Sequence, residues 1–246
     1  MSPRLDATNA YIIASLEANS TTGTSQKALD VGTGTGIWAW YVITRFSPWT
    51  FKTLPCSTLT LIICSEFGEQ YPSCEVTGID LSPMQPSFVP PNVKFEIDNI
   101  EQEWTWPDDT FDYIHLRAMI GSIKDWDRLY RQAYRCLKPG GWIESRENSV
   151  RWKCENNSIT DDSAVGQYHK VVWRAGELMG QTFKIVDDDI HLQREVMERA
   201  GFVNTDSRDM KGYYGSWPTD RRDKLTGNMG KLCFEEDPEG KQHSPA

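Results

Sequence analysis

The sequence predicts an α/β protein built on one doubly wound, mostly parallel sheet. Three observations support that fold class. First, the apolar segment Ala28-Leu29-Asp30-Val31 runs directly into Gly32-Thr33-Gly34-Thr35-Gly36, so a strand ends in a dense glycine turn. Second, short β-rich segments alternate with amphipathic helical ones along the rest of the chain. Third, 246 residues with 39% hydrophobic and 25% charged side chains suit a single domain large enough to bury a core.

The elements follow in chain order. Leu5, Tyr11, Ile12 and Leu16 form a short apolar stripe that fits a leading helix within residues 1–26, and the polar stretch 20–25 turns the chain at Gly23. After the glycine turn, EVTGID (75–80), VKFEI (93–97) and FDYIHL (111–116) read as the second, third and fourth strands. Residues 124–137 read as a helix with Trp126, Leu129, Tyr130, Ala133 and Leu137 on one face, stopped by Lys138-Pro139-Gly140-Gly141. A fifth strand begins over 142–147. Helices are expected over 161–180 and 187–200, the latter with Asp188 or Asp189 near its N-cap and Gly201 just past its end. A sixth strand starts over 202–205. No internal repeat and no second domain are visible, so residues 1–232 are read as one domain and 233–246 as a polar tail.

Composition excludes several classes. A net charge of -9 and a pI near 5.0 argue against a general binder of phosphate backbones, so no nucleic-acid partner is expected. The longest apolar run, 59–64, is too short to span a bilayer, and no charged-then-apolar leader opens the chain, so no membrane association is expected. Six cysteines without a CxxC pair point away from zinc and from a disulfide framework. The expectation is a reduced protein of the cytoplasm or nucleus with no metal.

Two ligand chemistries use a strand–glycine–helix corner. The nicotinamide fingerprint is G-x-G-x-x-G. Here the third glycine comes one position early, at Gly36, and Ile37 stands where that fingerprint needs glycine. The tighter Gly32, Gly34, Gly36 loop suits a nucleoside bearing an amino-acid tail rather than a pyrophosphate. Glycines are required because a β-carbon would collide with a ligand lying on the backbone. Asp30, at the end of the first strand, is placed to meet the ammonium of that tail. Asp80, at the end of the second, is placed to accept both ribose hydroxyls, which suits a carboxylate. Asp98-Asn99, after the third, is placed to meet an adenine edge. The alternatives are a strand-end cap for Asp80 and an Asx turn for Asp98-Asn99.

These stretches also carry a resemblance. The segments LDVGTGTGIW, IDLSPMQPSFVPPNVKFEIDNIEQEWTWPDDTFDYIH and GSIKDWDRLYRQAYRCLKPGGWIE are similar to the LaeA-like family of fungal class I S-adenosylmethionine-dependent methyltransferases. The similarity extends over about residues 5–229 and is patchy after Glu144. It implies a Rossmann-like sheet and S-adenosyl-L-methionine as cofactor, held by Asp30, Gly32, Gly34, Gly36, Asp80, Asp98 and Asn99. The family's usual Asp-Asp pair is Asp98-Asn99 here. By the resemblance Asn99 faces the adenine and Ile100 offers its backbone amide. Family members close with an antiparallel strand inserted between strands five and six. No β-rich run follows Trp217-Pro218, so that last strand is expected to be missing and the fifth strand's edge to lie unpaired.

One segment breaks the pattern. The ribose-binding acid belongs about 20 residues past the glycine loop, yet Gly32 and Asp80 are 48 apart. Residues 41–65 account for the surplus: they contain no acid and only Arg45 and Lys52 as charges, where the chain average of 25% implies about six. Excising them joins Trp40 to Glu66 and restores a short helix ended by Pro72. Trp40-Tyr41-Val42 can be encoded through GTATGT and Cys64-Ser65 through TGTAG, the signatures of splice sites, and 25 codons preserve the frame. The segment therefore reads as a retained intron or a gene-model error, against the alternative of a long surface loop.

Methyl transfer from a sulfonium needs an in-line nucleophile about 3 Å away, held and kept dry, with a general base depending on the acceptor. His115, at the carboxyl end of the fourth strand, is the candidate base, against a structural role. Arg117 is placed to orient an anionic acceptor or to pair with an acid. Trp38, Trp104 and Trp106 line either a pocket or the core. Three functional readings follow: a methyltransferase acting on a small-molecule acceptor in fungal secondary metabolism, a methyltransferase-like regulator working through protein partners, and an inactive product of a mis-spliced gene.

Overall fold

The computed structural model describes residues 5–15, 26–34, 71–83, 85, 89–186 and 192–236. It contains β1 (Leu5–Ser15), β2 (Gln26–Val31), β3 (Cys74–Asp80), β4 (Val93–Ile97) and β5 (Phe111–Arg117). Then come α1 (Trp126–Cys136), β6 (Leu137–Cys154), α2 (Ala164–Met179), α3 (Leu192–Ala200), β7 (Val203–Tyr214) and α4 (Arg221–Glu236). The strands form one seven-stranded sheet in the order β4-β3-β2-β5-β6-β1-β7. Strands β2 to β6 run parallel, and β1 runs antiparallel to both β6 and β7. The chain lays down β2, β3 and β4 in one direction and then returns to place β5 on the other side of β2. That reversal creates the crevice where open α/β sheets bind ligands.

Pleating explains the core. Leu29 and Val31, Ile114 and Leu116, and Ile143 all point to one face and are almost fully buried. Against them pack Leu129, Tyr130 and Ala133 of α1 and Val196 and Met197 of α3. Helix α1 begins where Asp125 caps it, its carboxylate accepting from the Arg128 amide at 2.8 Å. Its buried residues recur every three or four positions, as the sequence predicts. It ends at Leu137, whose extended backbone starts β6. Ser163 caps α2, and left-handed Gly180 closes it. A small polar knot ties α1 and α3 to the sheet: Gln193 Nε2 donates to Ser145 Oγ at 2.6 Å and to the Tyr130 hydroxyl at 3.1 Å.

Two expectations need correction. The apolar stripe read as a leading helix is strand β1, since a strand over 5–15 can use ladder partners on both sides while a lone helix would leave two sheet edges bare. For the same reason the edge of β6 is not unpaired: β1 occupies the antiparallel place between β6 and β7 that the family fills from its C-terminal end. No strand follows β7 among the described residues, where the chain continues as α4. Strands β6 and β7 also extend well past the stretches read in the sequence. Gly36, Trp38, the whole of 41–65 and Asp187 to Asp189 lie outside the described residues.

Candidate functional site

A cavity of about 400 Å³ opens at the carboxyl ends of β2, β3, β4 and β5. Its lining brings together nearly every described residue singled out in the sequence: Asp30, Gly32, Gly34, Asp80, Asp98, Asn99, Ile100, His115 and Arg117. The surplus residues between the two motifs do not keep them apart. Gly34 N donates to Asp80 Oδ2 at 2.7 Å, Ser82 N donates to Oδ1 at 2.9 Å, and Thr33 N donates to Ile79 O at 2.9 Å. The glycine loop is thus stitched to the end of β3.

The glycines are explained by their surroundings. Gly32 has φ +69°, and a β-carbon there would lie 2.2 Å from Met119 Sδ. Gly34 has φ +58°, and no atom of the described residues lies within 4 Å of a β-carbon position there. A ligand can lie flat against this backbone.

Asp30 is only 8% exposed, and each of its oxygens already has a partner. His115 Nδ1 lies 2.8 Å from Oδ1, and Thr33 Oγ1 donates to Oδ2 at 2.7 Å. Which of the two groups donates in the His115–Asp30 contact depends on the tautomer of the ring. His115 is itself 2% exposed. The Arg117 guanidinium next door is drawn down to about 10 by burial, with Arg146 in the same direction, while Asp30 and Glu147 favour its charge. At the opposite side, Asp98 Oδ1 accepts from Asn99 N at 2.7 Å, and Asn99 Oδ1 accepts from Glu101 N at 3.0 Å. The second of these is an Asx turn, and it engages the Asn99 oxygen while its side-chain NH2 remains a donor group.

Sequence reasoning missed Thr33, Leu81, Glu101, Ala118, Met119 and Ser122, all of which line the cavity. The signal for the last three was their place directly after a parallel strand's carboxyl end. Trp104 belongs to the core rather than the cavity: it is buried, its indole N–H donates to Ile100 O at 3.1 Å, and it packs edge-on to Trp106.

Five parallel strands, a reversal between β2 and β5, and a glycine loop bonded to a strand-end aspartate define a Rossmann-like α/β protein of the class I methyltransferase architecture. The chain belongs to the methyltransferase-domain family, whose model matches residues 6–207. Among curated relatives, methyltransferase pytC of Aspergillus terreus is 35% identical over 209 residues, covering 85% of this chain and 55% of that protein. Secondary metabolism regulator LAE1 of Cochliobolus heterostrophus is 30% identical over 221 residues, covering 89% and 62%. These are relatives of the kind the sequence resemblance implied, and the chain spans little more than half their length. Among solved structures, phosphoethanolamine N-methyltransferase 2 of Haemonchus contortus, in complex with S-adenosyl-L-methionine, superposes at a TM-score of 0.49 with 19% identity, covering 90% of this chain and 41% of that one.

Proposed function

We propose that the chain is an S-adenosyl-L-methionine-dependent methyltransferase acting on a small molecule of fungal secondary metabolism. The observation behind this is the convergence of Gly34 and Asp80, joined at 2.7 Å, on one wall of a cavity whose other walls hold Asp98, Asn99 and Ile100. The residues fit the cofactor. Among the described residues nothing crowds the bare face of Gly34, and each Asp80 oxygen is engaged once, which leaves lone pairs for two vicinal hydroxyls. The cofactor, when bound, supplies a methyl group on a sulfonium.

Around it, Asp80 binds the ribose, Asn99 and the Ile100 amide orient the adenine, and Gly32 and Gly34, with Gly36 beyond the described residues, give the backbone surface. Asp30 serves the tail end, directly and by holding His115. His115 is the candidate base at the acceptor end, and Arg117 brings positive charge to the same end. Calorimetry with S-adenosyl-L-homocysteine and with NADH tests the reading. Binding of the first and not the second is expected, and the reverse would overturn it.

A second reading, a regulator working through protein partners, is favoured by relatives that are named regulators of secondary metabolism. Nucleoside binding without turnover on any metabolite would select it. Sequencing the mature transcript across codons 40–66 decides whether 41–65 is translated. A message that still encodes them overturns the retained-intron reading.

A further inference from the structure

Behind the cavity lies a carboxylate that the proposed chemistry does not use. Glu147, on β6, is 1% exposed. Its two oxygens accept from two successive backbone amides, Met119 N to Oε1 and Ile120 N to Oε2, each at 2.9 Å. Those amides belong to the short link between β5 and α1 that forms one wall of the cavity through Ala118, Met119 and Ser122. The link is an unfavourable backbone. Ala118 adopts a left-handed φ of 52°, which costs a non-glycine residue free energy, and Gly121 has φ 79°. It is held at three points: Ala118 N donates to Arg146 O, Ser122 N to Met119 O, and the Glu147 carboxylate grips the two amides between. Met119 in turn lies directly against Gly32, in the space a β-carbon would fill.

We propose that Glu147 is a positioning residue. Its carboxylate clamps the Met119 and Ile120 amides, presses Met119 against the glycine loop and so sets the shape of the nucleoside cavity. The inference rests on the methyltransferase reading for the identity of the ligand, but the clamp itself is a property of the apo chain. Burial pushes the Glu147 carboxyl up to about 7, with the two amides and Arg117 opposing the shift. The titratable groups that face it among the described side chains are the cationic Arg117 from β5 and the neutral Tyr130 hydroxyl from α1, whose own titration is raised by burial and by Glu147. Two amide donors grip a carboxylate better than a carboxylic acid, which has one good acceptor left. The clamp therefore tightens as pH rises through neutrality.

The test uses the whole chain and two independent readouts across the range below and above about pH 7. One is hydrogen exchange at the Met119 and Ile120 amides without ligand, corrected for intrinsic exchange. The other is calorimetric binding of S-adenosyl-L-homocysteine. In the wild type both protection and affinity should rise with pH. Glu147→Gln, which cannot ionise, should hold both near their low-pH level and bind about tenfold more weakly at high pH. Glu147→Asp, one methylene short, serves if the glutamine variant fails to fold and should lose protection of both amides. Wild-type profiles flat with pH, or a folded variant with wild-type protection and affinity, would overturn the clamp. Absence of any ligand binding by the wild type would overturn the methyltransferase reading instead, and amide exchange would still decide the clamp.

Discussion

At the scale of single residues, the site works by giving one carboxylate several duties. Asp80 caps β3, receives Gly34 N and Ser82 N, and still faces the cavity. Asp80→Ala should weaken S-adenosyl-L-homocysteine binding by about 2 kcal/mol, because hydrogen bonds to a charged acceptor are lost. Calorimetry showing unchanged affinity in a folded variant would remove Asp80 from the ribose. Arg117 makes a sharper prediction. It lines the cavity beside Asp30, so the pair presents opposite charges to a zwitterionic amino-acid tail. Arg117→Ala should lower affinity for S-adenosyl-L-homocysteine about tenfold and leave affinity for 5′-methylthioadenosine, which has no carboxylate, unchanged. Equal losses for both ligands would assign Arg117 to packing alone. The strand-end places of Asp30, Asp80 and His115 were legible in the sequence, and the structure brings all three to one cavity. What the sequence did not show is that Asp30 spends its oxygens on His115 and Thr33, because that pairing arises only when β2 and β5 lie side by side.

At the scale of elements, the parallel strands were legible because each ends in a turn signal and each buries apolar residues. Helix α1 was legible because its apolar spacing and its stop agree. Strand β1 was not. Its identity depends on an empty place between β6 and β7, which no local pattern encodes, and an i, i+7 apolar stripe is compatible with a helix until partners on both sides are known. Its ladder gives a direct test. Ala10 pairs with Glu147 on one side and Asp209 on the other, so any proline there removes a backbone donor needed by a neighbour. Ala10→Pro should destabilise the fold by about 1–3 kcal/mol, the cost of an orphaned buried carbonyl. Denaturant unfolding with a wild-type midpoint would show that β1 does not belong to the sheet.

At the scale of the whole molecule, stability and site geometry pull against each other through Glu147. In the unfolded chain this carboxyl titrates at its ordinary 4.5, and in the fold at about 7. Between those values the native chain keeps a proton that the unfolded chain has released, so raising the pH favours unfolding. The contribution is fully present below about 4.5, fades across the interval and is gone above about 7. The difference of these two values corresponds to about 3 kcal/mol, a large part of a typical domain's net stability. Yet the ionised form is the one that holds Met119 and Ile120, so the pH that loosens the fold is the pH that firms the cavity wall, the trade expected where a site strains its scaffold. Glu147→Gln separates the two effects. Denaturant unfolding followed from pH 5 to 8 should show wild-type stability declining relative to the variant across that interval, with the variant lacking this component of the slope. Parallel curves would mean that Glu147 is ionised throughout, and the rise in its proton affinity on folding would have to be abandoned.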